Sequence, residues 1–391
     1  MIRQNAKHWL KKSIYVIDLC MPKSKRVWAF PVCYLSGRLF DNARAIFEEV
    51  RHDNSLTKVV LYRDVKPEGL DRSDVVVVKL HSLRGVFFLM RSGVVFVRHC
   101  MTQDIGFEIA HRSRLMLNVW HGITMKKIGV QAAPDSVTGC DPLSAIVSSS
   151  DRDKKVMIQS FNYANEENTW ITGLPRNDLL FRDETALWAD AEDELQKIRN
   201  RINGRKLILF APTFRADWEG WEDKSSFYEF SKAELMLLSS IAQDNNAVIG
   251  VRTHLREERA VLDAFGGLDV ILFNDIVDPT LLLRETEVLV SDYSSIAIDF
   301  MLTKRPVFSF AFDFDRYTQG RGCQYDLSEV FPTPLCLDFP MLEKALRLAL
   351  ASPESVVNTE KYEHSLKHFH KYVDGDSTLR VVNRVIGREA S

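Results

Sequence analysis

No stretch of the 391-residue chain is apolar over the ~18 residues that a membrane-spanning helix requires. The nearest candidate, residues 86–97, is broken by Arg91 and Gly93. A signal-peptide core is also lacking at the amino terminus. The six cysteines (Cys20, Cys33, Cys100, Cys140, Cys323 and Cys336) are scattered, with no Cys-x-x-Cys pair. That pattern argues against a zinc site and a disulfide framework, and for a reducing compartment. Net charge is only −2, which excludes a generic nucleic-acid binder. There is no Gly-x4-Gly-Lys-Ser/Thr, no Gly-x-Ser-x-Gly and no His-Glu-x-x-His. The one Gly-x-Gly, Gly320-Arg321-Gly322, has Tyr325 where a third glycine would fall, so a nicotinamide site is not indicated.

What is present suits a globular chain of two to three domains: 46% apolar residues and forty aromatics. Charge is unevenly placed. Residues 1–26 hold seven Lys/Arg against Asp18 alone, a surplus of +6 that leaves −8 on the remainder. Trp9, Leu10, Ile14 and Ile17 can share one helical face there, so this segment can bind an anionic membrane surface. A solvated basic terminus, or a first helix packed on the body, would leave the same signature.

Short β-rich runs alternate with helical patterns. Strands are expected at 27–32, 58–62, 74–78, 94–97, 115–120 and 145–149, then at 206–210, 247–251, 270–273, 288–291 and 307–310. Helices are expected at 42–51, 186–201, 231–243 and 294–303, with two more at 360–372 and 377–388. Alternation of this kind predicts parallel sheets covered on both faces. The polar helical stretch 183–204 reads as the connection between two α/β domains.

Four strand ends carry residues suited to chemistry, and ligands of open α/β sheets bind beyond strand carboxyl ends. Trp120-His121-Gly122 closes one strand, with Lys126 and Lys127 following; a histidine there can take a proton near neutral pH. Arg252-Thr253-His254 closes another and can hold phosphate oxygens. Ala211-Pro212-Thr213-Phe214-Arg215 closes a third. In the fourth, a buried strand runs into Ser291-Asp292-Tyr293-Ser294-Ser295, whose hydroxyls and helix-start amides attract anions, although ordinary N-capping uses the same residues. Asp313-Phe314-Asp315 could be a metal-binding pair, but aspartates are common in loops and no metal ligand is assigned. Together these sites fit a two-domain transferase acting on a nucleotide diphosphate.

At these residues the chain resembles the CDP-glycerol glycerophosphotransferases of teichoic-acid synthesis and related capsule-polymer phosphotransferases, from about Ser36 to Arg380. The motifs stand in the family's order: Gly37…Asp41-Asn42, Trp120-His121-Gly122 with Lys126-Lys127-Ile128-Gly129, Gly173-Leu174-Pro175-Arg176-Asn177-Asp178, and Ala211-Pro212-Thr213-Phe214-Arg215. Arg252-x-His254, Ser291-Asp292-Tyr293-Ser294-Ser295, Asp313…Tyr317…Arg321-Gly322 and Asp374-Gly375…Arg380 follow. The chain departs from the pattern at Ile123-Thr124 and at Leu255.

The resemblance implies a GT-B-like α/β fold, two Rossmann-like domains facing a central cleft. The basic segment would be 1–26, the acceptor domain 27–183, the CDP-donor domain 184–375 and a C-terminal helix 376–391. It implies transfer of an alditol phosphate, glycerol phosphate first, from a CDP-alditol to a hydroxyl of a lipid-linked saccharide or growing polymer, with release of CMP; no cofactor is expected, and a metal requirement stays open. His121 and His254 are the expected catalytic residues, His121 as base and His254, with Arg252, neutralising the charge that develops on the phosphates. Arg252, Thr213, Arg215, Ser291, Asp292, Ser294, Ser295, Arg321, Arg380, Asp41, Asn42 and Lys126 form the expected binding set. The expected location is the cytoplasmic face of the cell membrane, held peripherally. Rivals are a GT-B nucleotide-sugar glycosyltransferase or epimerase, and a non-catalytic nucleotide-binding subunit. Glycerol against ribitol, and primase against polymerase, stay open.

Overall fold

The computed structural model describes residues 13–32, 37–70, 74–213, 228–253, 263–266, 268–320 and 322–387. Two compact units result. The first comprises the chain up to His121, Ile128–Phe181 and the segment from Asp374 on; the second comprises Gly122–Lys127 and Arg182–Val373.

The first unit is built on seven parallel strands in the order β3-β2-β1-β4-β5-β6-β7. They are β1 Ser24–Pro31, β2 Thr57–Tyr62, β3 Val75–Lys79, β4 Ser92–Val97, β5 Leu115–Asn118, β6 Ala145–Ser148 and β7 Thr169–Ile171. The strands read as apolar runs because parallel sheets are buried on both faces. Val59, Leu61, Val95, Val97 and Met116 pack with Met101, Ile105 and Ile109 on one side. β7 was not expected; its three residues are too short to register as a strand pattern.

Helix Leu83–Arg91 was not expected either. It lies within the apolar run that was read as one piece with β4, and Ser82 caps it by accepting from Gly85 N. Residues 13–20 are also helical. Asp18 is fully buried there, pairs with Arg114 and Lys23, and accepts from Ala110 N at 2.7 Å. Ile14 packs inward on the core while Ile17 is exposed, so the two do not share an outward face. Trp9 and Leu10 lie outside the described residues.

The second unit has five parallel strands in the order β10-β9-β8-β11-β12. They are β8 Lys206–Phe210, β9 Ala247–Val251, β10 Val270–Leu272, β11 Thr286–Ser291 and β12 Val307–Ser309. Helix Lys232–Asp244 begins with a Ser231/Glu234 capping box, and helix Phe339–Ala351 is capped by Asp338. Both cover a core of Ile208, Phe210, Ile249, Val288, Val290 and Phe308. The serine-rich segment forms a shorter helix than expected, Ile296–Phe300, followed by a 3-10 turn over Met301–Thr303.

The units divide at Phe181/Arg182. The carboxyl-terminal helix Ser377–Val385 joins the first unit rather than standing alone. The buried Asp178 carboxylate accepts from Ser377 N at 2.9 Å and Thr378 N at 2.7 Å, which fastens that helix beside the 3-10 segment Pro175–Leu180. Gly173 sits at φ +79 with Ser377 Oγ 2.4 Å from where a Cβ would stand, so only glycine fits there without rearrangement.

Candidate active site

In each sheet the strand order reverses once, between β1 and β4 and between β8 and β11, and the candidate residues gather at these two points. In the first unit β5 ends at Asn118 and the chain turns through Trp120, whose φ is +49. That conformation is strained for a bulky aromatic residue. Three bonds hold it. Asn118 Oδ1 accepts from Trp120 N at 2.9 Å, and Asn42 Nδ2 donates to the carbonyls of Val119 at 2.9 Å and Trp120 at 3.1 Å.

His121 emerges from this turn, half-buried, with its Nδ1 3.4 Å from the Arg98 carbonyl. A carbonyl only accepts, so the ring proton sits on Nδ1 and the lone pair on Nε2. Arg176 Nη1 donates to the His121 carbonyl at 2.6 Å and to Asp41 Oδ1 at 3.3 Å. Arg98 Nε donates to Asp41 Oδ2 at 3.1 Å. Asp41 and Asn42 are buried and belong to this scaffold: Asn42 Oδ1 accepts from Arg176 N at 2.9 Å. The Trp120 and His99 rings lie 4.1 and 4.6 Å from that of His121.

Burial, then the neighbouring His99 and Arg98, push the His121 imidazole well below its usual range; the bond to Arg98 only partly opposes this. His121 is therefore neutral at physiological pH, as a proton acceptor must be. Burial would raise Asp41, but Arg176, Arg98 and the Asn42 N–H outweigh it and hold the carboxyl below its usual value.

In the second unit, Thr213 follows β8 and Asp292 follows β11. Thr213 N and Oγ1 donate to Asp292 Oδ1 at 2.9 and 2.6 Å, bridging the reversal point. Tyr293 N donates to the same oxygen at 2.6 Å. Ser291 Oγ donates to the Ala211 carbonyl at 2.7 Å, so its hydroxyl joins the two strand ends. A narrow recess of about 10 Å³ opens here, lined by Phe210, Pro212, Ser291, Asp292, Phe310 and Phe312 among others. Ser294 and Ser295 are half-buried on the same segment. Tyr293 stacks on Tyr317 at 3.6 Å and donates its hydroxyl to Asp313 at 2.9 Å. Among the described residues no cluster of three or more His, Cys, Asp or Glu is arranged to hold a metal.

Three expected residues have other surroundings. Arg252 Nη1 donates to the carbonyls of Phe273 and Ile276, both at 2.8 Å, tying it to the loop after β10. Lys126 was expected beside His121; its segment belongs to the second unit, where Lys126 bridges to Cys323 and Gln324 N donates to Met125 O. Arg380 forms a two-pronged pair with Asp374 within the first unit. His254, Arg215 and Arg321 lie outside the described residues. Sequence reasoning missed His99 and Arg98, which follow β4 without any motif, and passed over Arg176, which it had quoted only within a longer signature.

The sequence profile described as CDP-Glycerol:Poly(glycerophosphate) glycerophosphotransferase matches residues 13–387. The teichoic acid ribitol-phosphate polymerase TarL of Staphylococcus aureus (strain NCTC 8325 / PS 47) is 28% identical over 362 residues, 88% of this chain and 60% of that protein. The ribitol-phosphate polymerase TarK of the same strain is 30% identical, over 71% of this chain and 53% of that protein. The chain thus spans little more than half the length of these relatives. The wall teichoic acid polymerase TagF has a similar fold, with a TM-score of 0.74 at 20% identity, over 99% of this chain and 95% of that structure. With its profile matched over nearly the whole length, and its parallel α/β fold shared with TagF, the chain belongs to the CDP-glycerol:poly(glycerophosphate) glycerophosphotransferase family.

Proposed function

We propose that this protein transfers an alditol phosphate, glycerol or ribitol phosphate, from a CDP-alditol to a hydroxyl of a lipid-linked saccharide or a growing teichoic-acid or capsule polymer. His121 Nε2 takes the proton of the acceptor hydroxyl. The oxygen attacks the alditol-bearing β-phosphorus, the bond to the α-phosphate oxygen breaks, and CMP leaves with the electron pair. Phosphoryl transfer depends chiefly on positioning and charge stabilisation. Asp41, Asn42 and Arg176 act through His121 by fixing its turn. Thr213, Asp292, Ser294 and Ser295 frame the donor diphosphate, joined by His254, Arg215 and Arg321 on the family's pattern; Arg252 holds the loop after β10. The two units act as a GT-B pair on this reading, the first serving the acceptor and the second the donor. The observation that carries it is the His121 imidazole just beyond the end of β5, its Nδ1 turned to the Arg98 carbonyl so that Nε2 is left for the acceptor hydroxyl.

The test is incubation with CDP-glycerol and CDP-ribitol plus a lipid-linked acceptor, following CMP and product mass. One donor should yield CMP and an acceptor heavier by one or more alditol phosphates. His121→Ala should lose ~10²–10⁴-fold in turnover while staying folded. Release of UDP from a nucleotide sugar instead would favour the glycosyltransferase or epimerase reading.

We further propose peripheral attachment to the inner face of the cell membrane. Val16 (58% exposed) and Leu19 on the first helix, with Leu83 (95% exposed) and Phe87 on helix Leu83–Arg91, place apolar side chains among exposed Lys25, Arg26 and Arg84. The two helices adjoin: Arg91 donates to Pro22 O, and Arg114, paired with Asp18, donates to Leu89 O. Aliphatic and cationic groups together favour anionic lipid surfaces. No helix among the described residues is long and apolar enough to cross a membrane. Sedimentation with anionic vesicles should capture the protein, and Val16→Asp with Leu83→Asp should release it. Equal sedimentation of both proteins removes this attachment.

A further inference from the structure

The reaction scheme leaves one imidazole beside the base without a task. His99 follows β4, and its ring centroid lies 4.6 Å from that of His121 with the planes 38° apart. The two rings are mounted alike: Nδ1 of His121 faces the Arg98 carbonyl and Nδ1 of His99 faces Asp104 Oδ1 at 3.3 Å. Asp104 is buried, and its other oxygen accepts from Arg98 N at 2.7 Å and His99 N at 2.8 Å. Two backbone amides thus fix the carboxylate. Asn118, which also holds the Trp120 turn, donates to the His99 carbonyl at 3.0 Å. One asparagine therefore sets the spacing of both histidine-bearing strand ends.

We propose that His99, oriented by Asp104, is a positioning residue for His121: it packs against the imidazole, fixes its plane and repels a proton from it. The proposal rests on His121 as the base. An imidazolium at His99, paired with the Asp104 carboxylate, is a like charge against protonated His121, and a like charge disfavours the second ionisation. Other charged and titratable groups face the site from the surrounding elements. Arg98 adjoins from β4, Arg176 from the 3-10 segment Pro175–Leu180, and Asp41 from helix Asp41–Val50, where it pairs with both arginines. Tyr163 reaches Asn118 with its hydroxyl. All of these persist when His99 is changed, so their contribution is constant.

The experiment compares the full-length protein with His99→Gln, His99→Lys and Asp104→Asn, measuring kcat and kcat/KM against pH by CMP release. His121 is followed separately by NMR titration of its ring protons. His99→Gln should move the acidic limb upward by about one pH unit, with the same shift in the His121 titration. Its plateau kcat should fall less than tenfold, with donor KM unchanged. His99→Lys keeps a cation in place and should hold the limb near that of the parent protein. Asp104→Asn should follow His99→Gln. Superimposable profiles and titrations for His99→Gln and the parent overturn the proposal. So does a loss of turnover as deep as that of His121→Ala at every pH, which would make His99 itself the base. If His121→Ala keeps full turnover, the base assignment fails, while the NMR titration still decides whether His99 sets the charge of His121.

Discussion

Replacing Asn42 with alanine should disable the site from beneath. Its side chain is fully buried, donates to the Val119 and Trp120 carbonyls and accepts from Arg176 N at 2.9 Å. Alanine leaves three backbone polar groups without that partner. Each costs ~1–3 kcal/mol when buried and unsatisfied, so partial relaxation still leaves a loss of roughly 3–5 kcal/mol. For a domain of this size that corresponds to a fall in Tm of roughly 10 °C. The effect on function should exceed the effect on folding. Trp120 at φ +49 stores strain on the order of 1–3 kcal/mol, and without the Asn42 clamp that strain relaxes by moving the backbone that carries His121. A displacement of ~1 Å can cost ~10²-fold in rate. Turnover measured well below the melting temperature should fall at least that far, with donor KM unchanged because the residues proposed for the donor belong to the second unit. Native-like melting together with turnover within threefold of the parent would refute the clamp.

Asp178 should set part of the pH dependence of stability. Burial pushes its carboxyl from the usual 3.8 to about 6, against the opposing bonds from Thr378 and Ser377. A folded value above the unfolded one means that its contribution is full at acid pH and is lost as pH rises through about 6, up to roughly 3 kcal/mol. Melting curves between pH 4 and 8 should show this decline in the parent and a flatter course in Asp178→Asn. Asp18→Asn should destabilise by roughly 3–5 kcal/mol, because Arg114 is left as a buried cation lacking its anion; urea midpoints measure this. Thr213→Val removes the 2.6 Å bond to Asp292 and should raise donor KM roughly tenfold with little change in Tm, read from initial rates. An unchanged KM would detach Thr213 from the donor site.

Much of the architecture was legible because parallel strands, buried on both faces, appear as apolar β-branched runs. Eleven of the twelve strands among the described residues were expected close to their observed positions, and β7 alone was missed. Helix Leu83–Arg91 was hidden for the opposite reason. Its apolar residues Val86–Met90 run almost directly into those of β4, with only Arg91, Ser92 and Gly93 between. The site divides in the same way. His121 and Thr213 announced themselves at strand ends. His99 did not, because its significance lies in a ring 22 positions away in sequence that only the β4–β5 pairing brings to 4.6 Å. Arg252 reads as a phosphate ligand by residue type, and only the fold shows that its Nη1 donates to the carbonyls of Phe273 and Ile276.

Taken alone, the order of residues determined the family and the alternation of strands and helices, and it offered strand ends as candidates for chemistry. Local periodicity and short motifs are properties of neighbouring residues, and neighbours are what a sequence records. The tertiary structure decided that Asp41 and Asn42 lie beneath His121, that the last helix returns to the first unit, and that a second imidazole stands against the first. Those outcomes depend on contacts between distant segments, whose geometry arises only once the sheets close around their cores.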